Sequence, residues 1–200
     1  MKQLIAAFAV LMAAGVGSFF LIAPPTGKEF VVFASGTAAT ISDDFDLWRV
    51  SLDGSGLRKL TTDYRGISMA TVSKDGKTIV FCGRLETVAG LYAIDERGDI
   101  TQLTSARMFA ESVPTFHPDG NTLVFQEAVS DKVVNIMELD MLSGGKTPLI
   151  ANGFINRDPC ISPDGRKIVY VSNVSGTFRL YVADIDGKNA RAIRRLRSRM

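Results

Sequence analysis

The sequence predicts an all-β chain of repeated four-stranded antiparallel units, and three observations carry that prediction. The first is a turn block that occurs three times. Ser73-Lys74-Asp75-Gly76-Lys77-Thr78-Ile79-Val80-Phe81 returns as His117-Pro118-Asp119-Gly120-Asn121-Thr122-Leu123-Val124-Phe125, and again as Ser162-Pro163-Asp164-Gly165-Arg166-Lys167-Ile168-Val169-Tyr170. The second is the step. The aspartates lie 44 and 45 residues apart, and Trp48, Tyr92, Met137 and Tyr181 keep steps of 44, 45 and 44. A fixed period of this length marks a repeat architecture. The third is the continuous apolarity of each second strand: Ile79-Val80-Phe81, Leu123-Val124-Phe125, Ile168-Val169-Tyr170. A sheet with one wet face alternates polar and apolar residues. These strands should therefore be covered on both faces, as the blades of a β-propeller are by their neighbours. A parallel β-solenoid also buries both faces, but its coils are much shorter, and a sandwich of unrelated hairpins leaves the fixed step unexplained.

The chain opens on an apolar segment. Leu4 to Ala23 holds no charge, has Ser18 as its only hydroxyl, follows Lys2 and precedes Pro24-Pro25. As a helix these twenty positions would reach roughly 30 Å, the thickness of a hydrocarbon core. Residues 1–23 are therefore expected to be an apolar helix acting as a membrane anchor or a cleaved signal peptide, with everything after it exported. Gly15 and Gly17 offer small residues for a cut, but neither makes a clean Ala-x-Ala site, and Pro24 disfavours one after Ala23.

Residues 24–195 are expected to be propeller repeats, as blades over about 25–62, 67–104, 112–150 and 157–195, with a basic tail at 196–200. In the second blade Met69–Val72 leads to the turn, then Thr78–Cys82, Gly90–Ile94 and Ile100–Leu103. The third runs Val113–Phe116, Thr122–Gln126, Val134–Leu139 and Thr147–Ile150; the fourth runs Pro159–Ile161, Lys167–Ser172, Arg179–Asp184 and Ala190–Ile193. Short runs rich in Val, Ile, Phe and Tyr, bounded by Gly, Asp and Pro, are strand signals. Pro-Asp-Gly closes a tight hairpin: proline pre-sets φ, aspartate follows, and glycine takes the left-handed position. The first blade is expected to be partial. Pro25 to Val32 aligns with Pro163 to Tyr170, which puts its first strand at Ile22-Ala23, inside the apolar segment. The prediction is thus about three complete blades plus one of three strands, expected to be a piece of a larger propeller, a ring closed by a partner chain, or an unusually small or open array, and its unfilled edge would invite self-association.

The repeat resembles the WD40-like (PD40) repeats of TolB-type propellers. Ser162-Pro163-Asp164-Gly165 followed by Lys167-Ile168-Val169-Tyr170 is similar to the family signature, as are Leu180-Tyr181 leading to Asp184-Ile185-Asp186-Gly187, and Leu60-Thr61 or Leu103-Thr104 closing a unit. The similarity covers about residues 28 to 195. It implies a non-enzymatic exported scaffold that meets a protein partner or envelope component. TolB-type proteins also carry an N-terminal α/β domain with no counterpart in these residues.

Charge and chemistry narrow the function classes. Five arginines occupy the last ten residues, and removing them and Lys2 from the net +2 leaves −4 for the body. A basic tail without a basic folded face does not make a nucleic-acid surface. Two cysteines, Cys82 and Cys160, make no disulfide framework; they fall on non-neighbouring blades, so both are expected as buried free thiols. The one histidine, His117, sits in the turn slot of Ser73 and Ser162 and is expected to bond neighbouring backbone rather than serve a triad. Asp43-Asp44-Asp46 is the only local acidic cluster and lacks a calcium-loop pattern. Gly144-Gly145 is a strand-to-strand turn, not a phosphate loop. No residue is assigned a catalytic, cofactor-binding or metal-binding role. The alternative to a scaffold is the propeller part of an enzyme, such as a prolyl-oligopeptidase-like peptidase or a sugar lyase.

Overall fold

The computed structural model describes residues 21–22, 29–35, 45–105 and 111–193. Among them are sixteen strands and no helix, arranged as four antiparallel sheets of four strands, each in simple chain order. Blade one holds β1 (Leu21–Ile22), β2 (Phe30–Ser35), β3 (Asp46–Ser51) and β4 (Arg58–Lys59). Blade two holds β5 (Tyr64–Val72), β6 (Ile79–Leu85), β7 (Val88–Ile94) and β8 (Ile100–Gln102). Blade three holds β9 (Glu111–Phe116), β10 (Thr122–Ser130), β11 (Val133–Asp140) and β12 (Lys146–Ile150); blade four holds β13 (Asn156–Ile161), β14 (Lys167–Ser172), β15 (Arg179–Asp184) and β16 (Arg191–Ala192). The chain divides into two compact units, residues 1–114 and 115–200, so blades one and two belong to the first. Blades three and four make the second, apart from the opening residues of β9.

The turn chemistry folds as the residues require. The amides of Gly76, Gly120 and Gly165 donate to the carbonyls of Ser73, His117 and Ser162 at 2.9, 3.0 and 2.8 Å, and all three glycines have positive φ. Ser73 Oγ donates to Asp75 at 2.6 Å and accepts from the Thr78 amide at 2.9 Å; Ser162 repeats both bonds with Asp164 and Lys167. Each block thus satisfies its own backbone and fixes the hairpin register.

Three expectations are corrected. Blade one is not missing its first strand: Leu21 and Ile22 pair antiparallel with Val32 and Val31. Two apolar residues supply the backbone partners that the edge of β2 needs, and the sheet begins inside the segment expected to be an apolar helix. Residues 1–20 lie outside the described residues; no helix among the described ones is long and apolar enough to cross a membrane. The alignment of blade one is also off by one. Phe33, not Val32, pairs with Trp48 as Tyr170 pairs with Tyr181, so Val32 shares its place with Val80, Val124 and Val169. Finally, Cys82 is buried but Cys160 is exposed, both as free thiols.

The core follows one rule in both units. The face an earlier blade turns to the next is here termed trailing, and the face that receives it leading. In unit one, trailing residues Val32, Ala34 and Leu47 pack with leading residues Ile79, Phe81, Tyr92 and Ile94. In unit two, Val124, Ile136 and Ile150 pack with Ile168, Tyr170, Tyr181 and Ala183. The leading faces carry stacked cross-strand rings, Phe81 on Tyr92 and Tyr170 on Tyr181, each with centroids 5.7 Å apart. Such a pair adds about 0.5–1.5 kcal/mol beyond its buried area, which is why an aromatic holds three of the four positions that mark the repeat step.

Candidate functional site: inter-blade seams and loop ends

The polar bonds at the seams explain most residues that sequence reasoning singled out. Thr61 and Thr104, the closing threonines of blades one and two, accept at Oγ1 from the amides of Leu47 and Leu91 at 2.9 Å. Thr104 also donates its hydroxyl to the buried carboxylate of Glu111. His117 bonds backbone on both sides, as expected of a turn residue. Its Nδ1 accepts from the Asp119 amide at 3.2 Å, and its Nε2 lies 3.1 Å from the Gly165 carbonyl of blade four's turn. The histidine therefore ties two hairpins together and is not directed at a nucleophile.

A feature that sequence reasoning missed recurs on the innermost strands. Met69, Val113 and Asp158 have φ of 45°, 53° and 54°, at the repeat's own spacing. A side chain in this left-handed region costs about 1–2 kcal/mol, more so for β-branched Val113. Each follows the opening residues of an inner strand, and pairing in β5 and β13 slips there. The slip turns a backbone amide toward the preceding blade. Asp158 N–H donates to Gln126 Oε1 at 2.9 Å, and Val113 N–H approaches the thiol of Cys82. Gln126 and Cys82 are repeat equivalents, two residues beyond Val124 and Val80. Burial pushes the Cys82 thiol up to about 12 despite that amide, so it behaves as an inert, weak acceptor. The only sequence signal was proline after Val113 and Asp158, which bars a helix but does not specify a left-handed residue.

The remaining candidates come apart. Asp46 is engaged by Lys59 at 2.7 Å, and Asp43 and Asp44 lie outside the described residues. Gly144-Gly145 closes β11 to β12. Among the described residues no three His, Cys, Asp or Glu side chains converge as metal ligands would.

The two ends of a blade differ in chemistry. At the Asp-Gly end the carboxylates cap their own turns. The Ser73 and Ser162 hydroxyls and the Lys77 and Arg166 amides hold Asp75 and Asp164 below the usual carboxylate range, and the amides of Ser143 and Leu142 do the same for Asp140. Burial opposes this at Asp119 but is outweighed by the amides of Asn121 and Thr122, the Thr122 hydroxyl and His117. At the opposite end of unit two, the hairpin tips carry Val129 (63% exposed) and Phe178 (48%), with the Arg157 guanidinium 4.3 Å over the Phe178 ring, and the link from β12 to β13 carries Phe154 (41%); at the Asp-Gly end Leu142 is exposed.

Four-stranded antiparallel sheets repeating at 44–45 residues, joined by a self-satisfied Ser-x-Asp-Gly hairpin, define the class: β-propeller blades of the PD40 type. A family model described as TolB beta propeller domain matches residues 23–199, and the chain belongs to that family. The Tol-Pal system protein TolB of Francisella tularensis subsp. tularensis (strain WY96-3418) is 27% identical over 169 residues, covering 82% of this chain and 38% of the relative. The chain thus spans under two fifths of that relative's length. Among solved structures, putative TolB from Agrobacterium tumefaciens superposes with a TM-score of 0.71 at 21% identity, over 85% of this chain and 62% of that one. An oligogalacturonate lyase in complex with manganese superposes with a TM-score of 0.63 at 21% identity, over 82% and 48%. At these identities the structural likenesses establish the fold alone.

Proposed function

We propose that this chain is an exported, non-enzymatic propeller scaffold that contacts a protein partner of the cell envelope through the hairpin tips opposite its Asp-Gly turns. The observation that carries this is the asymmetry of the blade ends. Aspartates at one end are consumed by their own backbone, with Leu142 the exposed apolar side chain there in unit two, whereas three apolar side chains, Val129, Phe154 and Phe178, are exposed at the other. Loops held by a rigid scaffold are where binding concentrates, and clustered exposed apolar side chains mark contact surfaces. The relation to a Tol-Pal system protein supports an envelope setting, and the apolar stretch from Leu4 to Ala23 supports export. The enzyme-part alternative draws on likeness to the lyase and to a puromycin-hydrolyzing peptidase with a TM-score of 0.66. Against it, His117 is occupied by backbone.

The test is site-specific photo-crosslinking in cells, with the probe at Val129 or Phe178 and at Leu142 on the opposite end as control. Discrete protein adducts from the first two and none from Leu142 are expected. Adducts only from Leu142, or from no position, would sink the reading, as would lyase or peptidase turnover by the purified chain.

A further inference from the structure

Asn152-Gly153 is the only Asn-Gly pair in the sequence, and both residues are exposed in the link from β12 to β13. Such a pair carries its own electrophile and nucleophile, because the glycine amide nitrogen can reach the asparagine Cγ and close a five-membered ring. Reaction requires that the amide be free, that the leaving nitrogen be free, and that the carboxamide oxygen be held where negative charge will develop. The link between these blades meets all three conditions. The five Asp-Gly pairs of the chain fail the first: Gly54, Gly76, Gly120, Gly165 and Gly187 each donate to the carbonyl three residues earlier, at 2.8–3.0 Å. Among the described residues the Gly153 amide makes no hydrogen bond, and nothing stands within 4 Å of where a Cβ on it would lie. Asn152 Nδ2, the leaving nitrogen, also has no partner among the described residues, while Oδ1 accepts from the Phe154 amide at 3.3 Å and from Asn156 Nδ2 at 2.8 Å. The second donor is fixed by its surroundings. Asn156 is 0% exposed, and its Nδ2 also donates to the carbonyls of Val134 and Phe154 at 3.2 and 3.3 Å, whereas its Oδ1 has no partner among the described residues. Turning this amide over would set Oδ1 against those carbonyls, so its N–H stays aimed at Asn152. Two fixed donors on one carbonyl oxygen are what an oxyanion hole supplies.

We infer that Asn152 is a self-modification site, at which the fold promotes deamidation with Asn156 as a positioning residue. The Gly153 nitrogen gives its proton to solvent, attacks Asn152 Cγ and forms the new C–N bond. Negative charge gathers on Oδ1, between the Phe154 and Asn156 donors. The Cγ–Nδ2 bond then breaks, Nδ2 takes a proton from solvent, and ammonia leaves a succinimide behind. Water adds to one of the two ring carbonyls, the ring C–N bond there opens, and the nitrogen recovers its proton. The product is aspartate or isoaspartate at position 152, and the net change is water in and ammonia out. Either product adds a negative charge two residues before exposed Phe154, and isoaspartate also adds a methylene to the main chain. Deamidation would therefore weaken an apolar partner contact at this blade end as the molecule ages. That consequence rests on the proposed function; the chemistry of the link does not.

The test incubates the full chain in mild detergent and mildly alkaline buffer, beside the same chain unfolded in urea at equal pH and temperature. Peptide mapping by mass spectrometry reads aspartate and isoaspartate at position 152 over time. An oxyanion donor in a dry active site is worth about 10²–10³ in rate, and at an exposed link the folded chain is expected to deamidate about tenfold faster than the unfolded one. Asn156→Ala should bring the folded rate down to the unfolded rate. The Asp-Gly pairs at Asp75 and Asp164, whose glycine amides are bonded, should show the opposite order, with isoaspartate forming faster in urea. A folded wild-type rate at Asn152 equal to or below the unfolded rate would overturn the inference, as would a rate that Asn156→Ala leaves unmoved. Should Asn156→Ala fail to fold, the wild-type comparison decides alone. Crosslinking from Val129 or Phe178 has no bearing on these rates, so the partner surface and the modification site fail separately.

Discussion

Replacing Gly187 by alanine should cost far more than replacing Gly98, although the two occupy equivalent turns. Both close a β-turn onto an aspartate carbonyl, Gly98 onto Asp95 at 3.1 Å and Gly187 onto Asp184 at 2.9 Å, with φ of 93° and 78°. Any L side chain is strained there by about 1 kcal/mol, so that term is common to both. The surroundings differ. A Cβ on Gly98 meets nothing within 4 Å, whereas one on Gly187 would lie 2.5 Å from the Leu149 carbonyl oxygen and 3.2 Å from Ile150 Cδ1, both on blade three. Backbone cannot swing aside as a side chain can, so blade four must shift against blade three, an overpacking penalty of about 1–3 kcal/mol. Gly98→Ala should therefore cost about 1 kcal/mol and Gly187→Ala about 2–4 kcal/mol. For a chain of this size that is about 2–4 °C against about 4–16 °C in melting temperature. Urea unfolding monitored by tryptophan fluorescence and far-UV circular dichroism measures both. Equal penalties for the two variants would refute the blade-on-blade approach of this turn.

Three further outcomes follow from the same geometry. Gln126→Ala should destabilise by about 1–2 kcal/mol by leaving the Asp158 amide without its acceptor, and Gln126→Met, of similar size, should not rescue it in urea titrations. Asp158→Gly should stabilise by about 0.5–1 kcal/mol by relieving the left-handed backbone, and Asp158→Val should destabilise; opposite signs in thermal melts are the check. Asp75, Asp140 and Asp164 titrate lower in the folded chain than in the unfolded one. Their stabilisation is therefore complete above the unfolded value of about 3.9 and is lost as pH falls through the lower folded values. Asp75→Asn should flatten the fall in urea midpoint below that pH, and an unchanged acid profile would contradict the capping bonds.

Much of the fold was legible because the repeat states it three times. The hairpin at Ser162–Gly165, the aromatic step from Tyr92 to Tyr181 and the continuously apolar second strands are local chemistry, and each folds as its residues dictate. What escaped notice depends on a neighbour. Met69, Val113 and Asp158 carry no glycine to announce a left-handed backbone, and the partners that receive the turned amides of Val113 and Asp158, Cys82 and Gln126, lie on the preceding blade. The edge of blade one read as empty because Leu21 and Ile22 are as apolar as the helix they were assigned to, and apolarity alone does not separate strand from helix. His117 was read correctly for a local reason, since its ring occupies a serine's slot; its second bond, to Gly165, required the adjoining hairpin.

By itself the sequence determined the class of unit, its step and its turn chemistry, since these rest on interactions within about ten residues of chain. Only the tertiary structure decided which faces of those units are satisfied. Val169 and Val124 are the same residue at the same repeat position, and one is fully buried while the other is not. Val124 is buried because the next sheet along the chain sets Ile168, Tyr170 and Tyr181 against it. Burial belongs to pairs of blades, so no reading of a single blade could have revealed it.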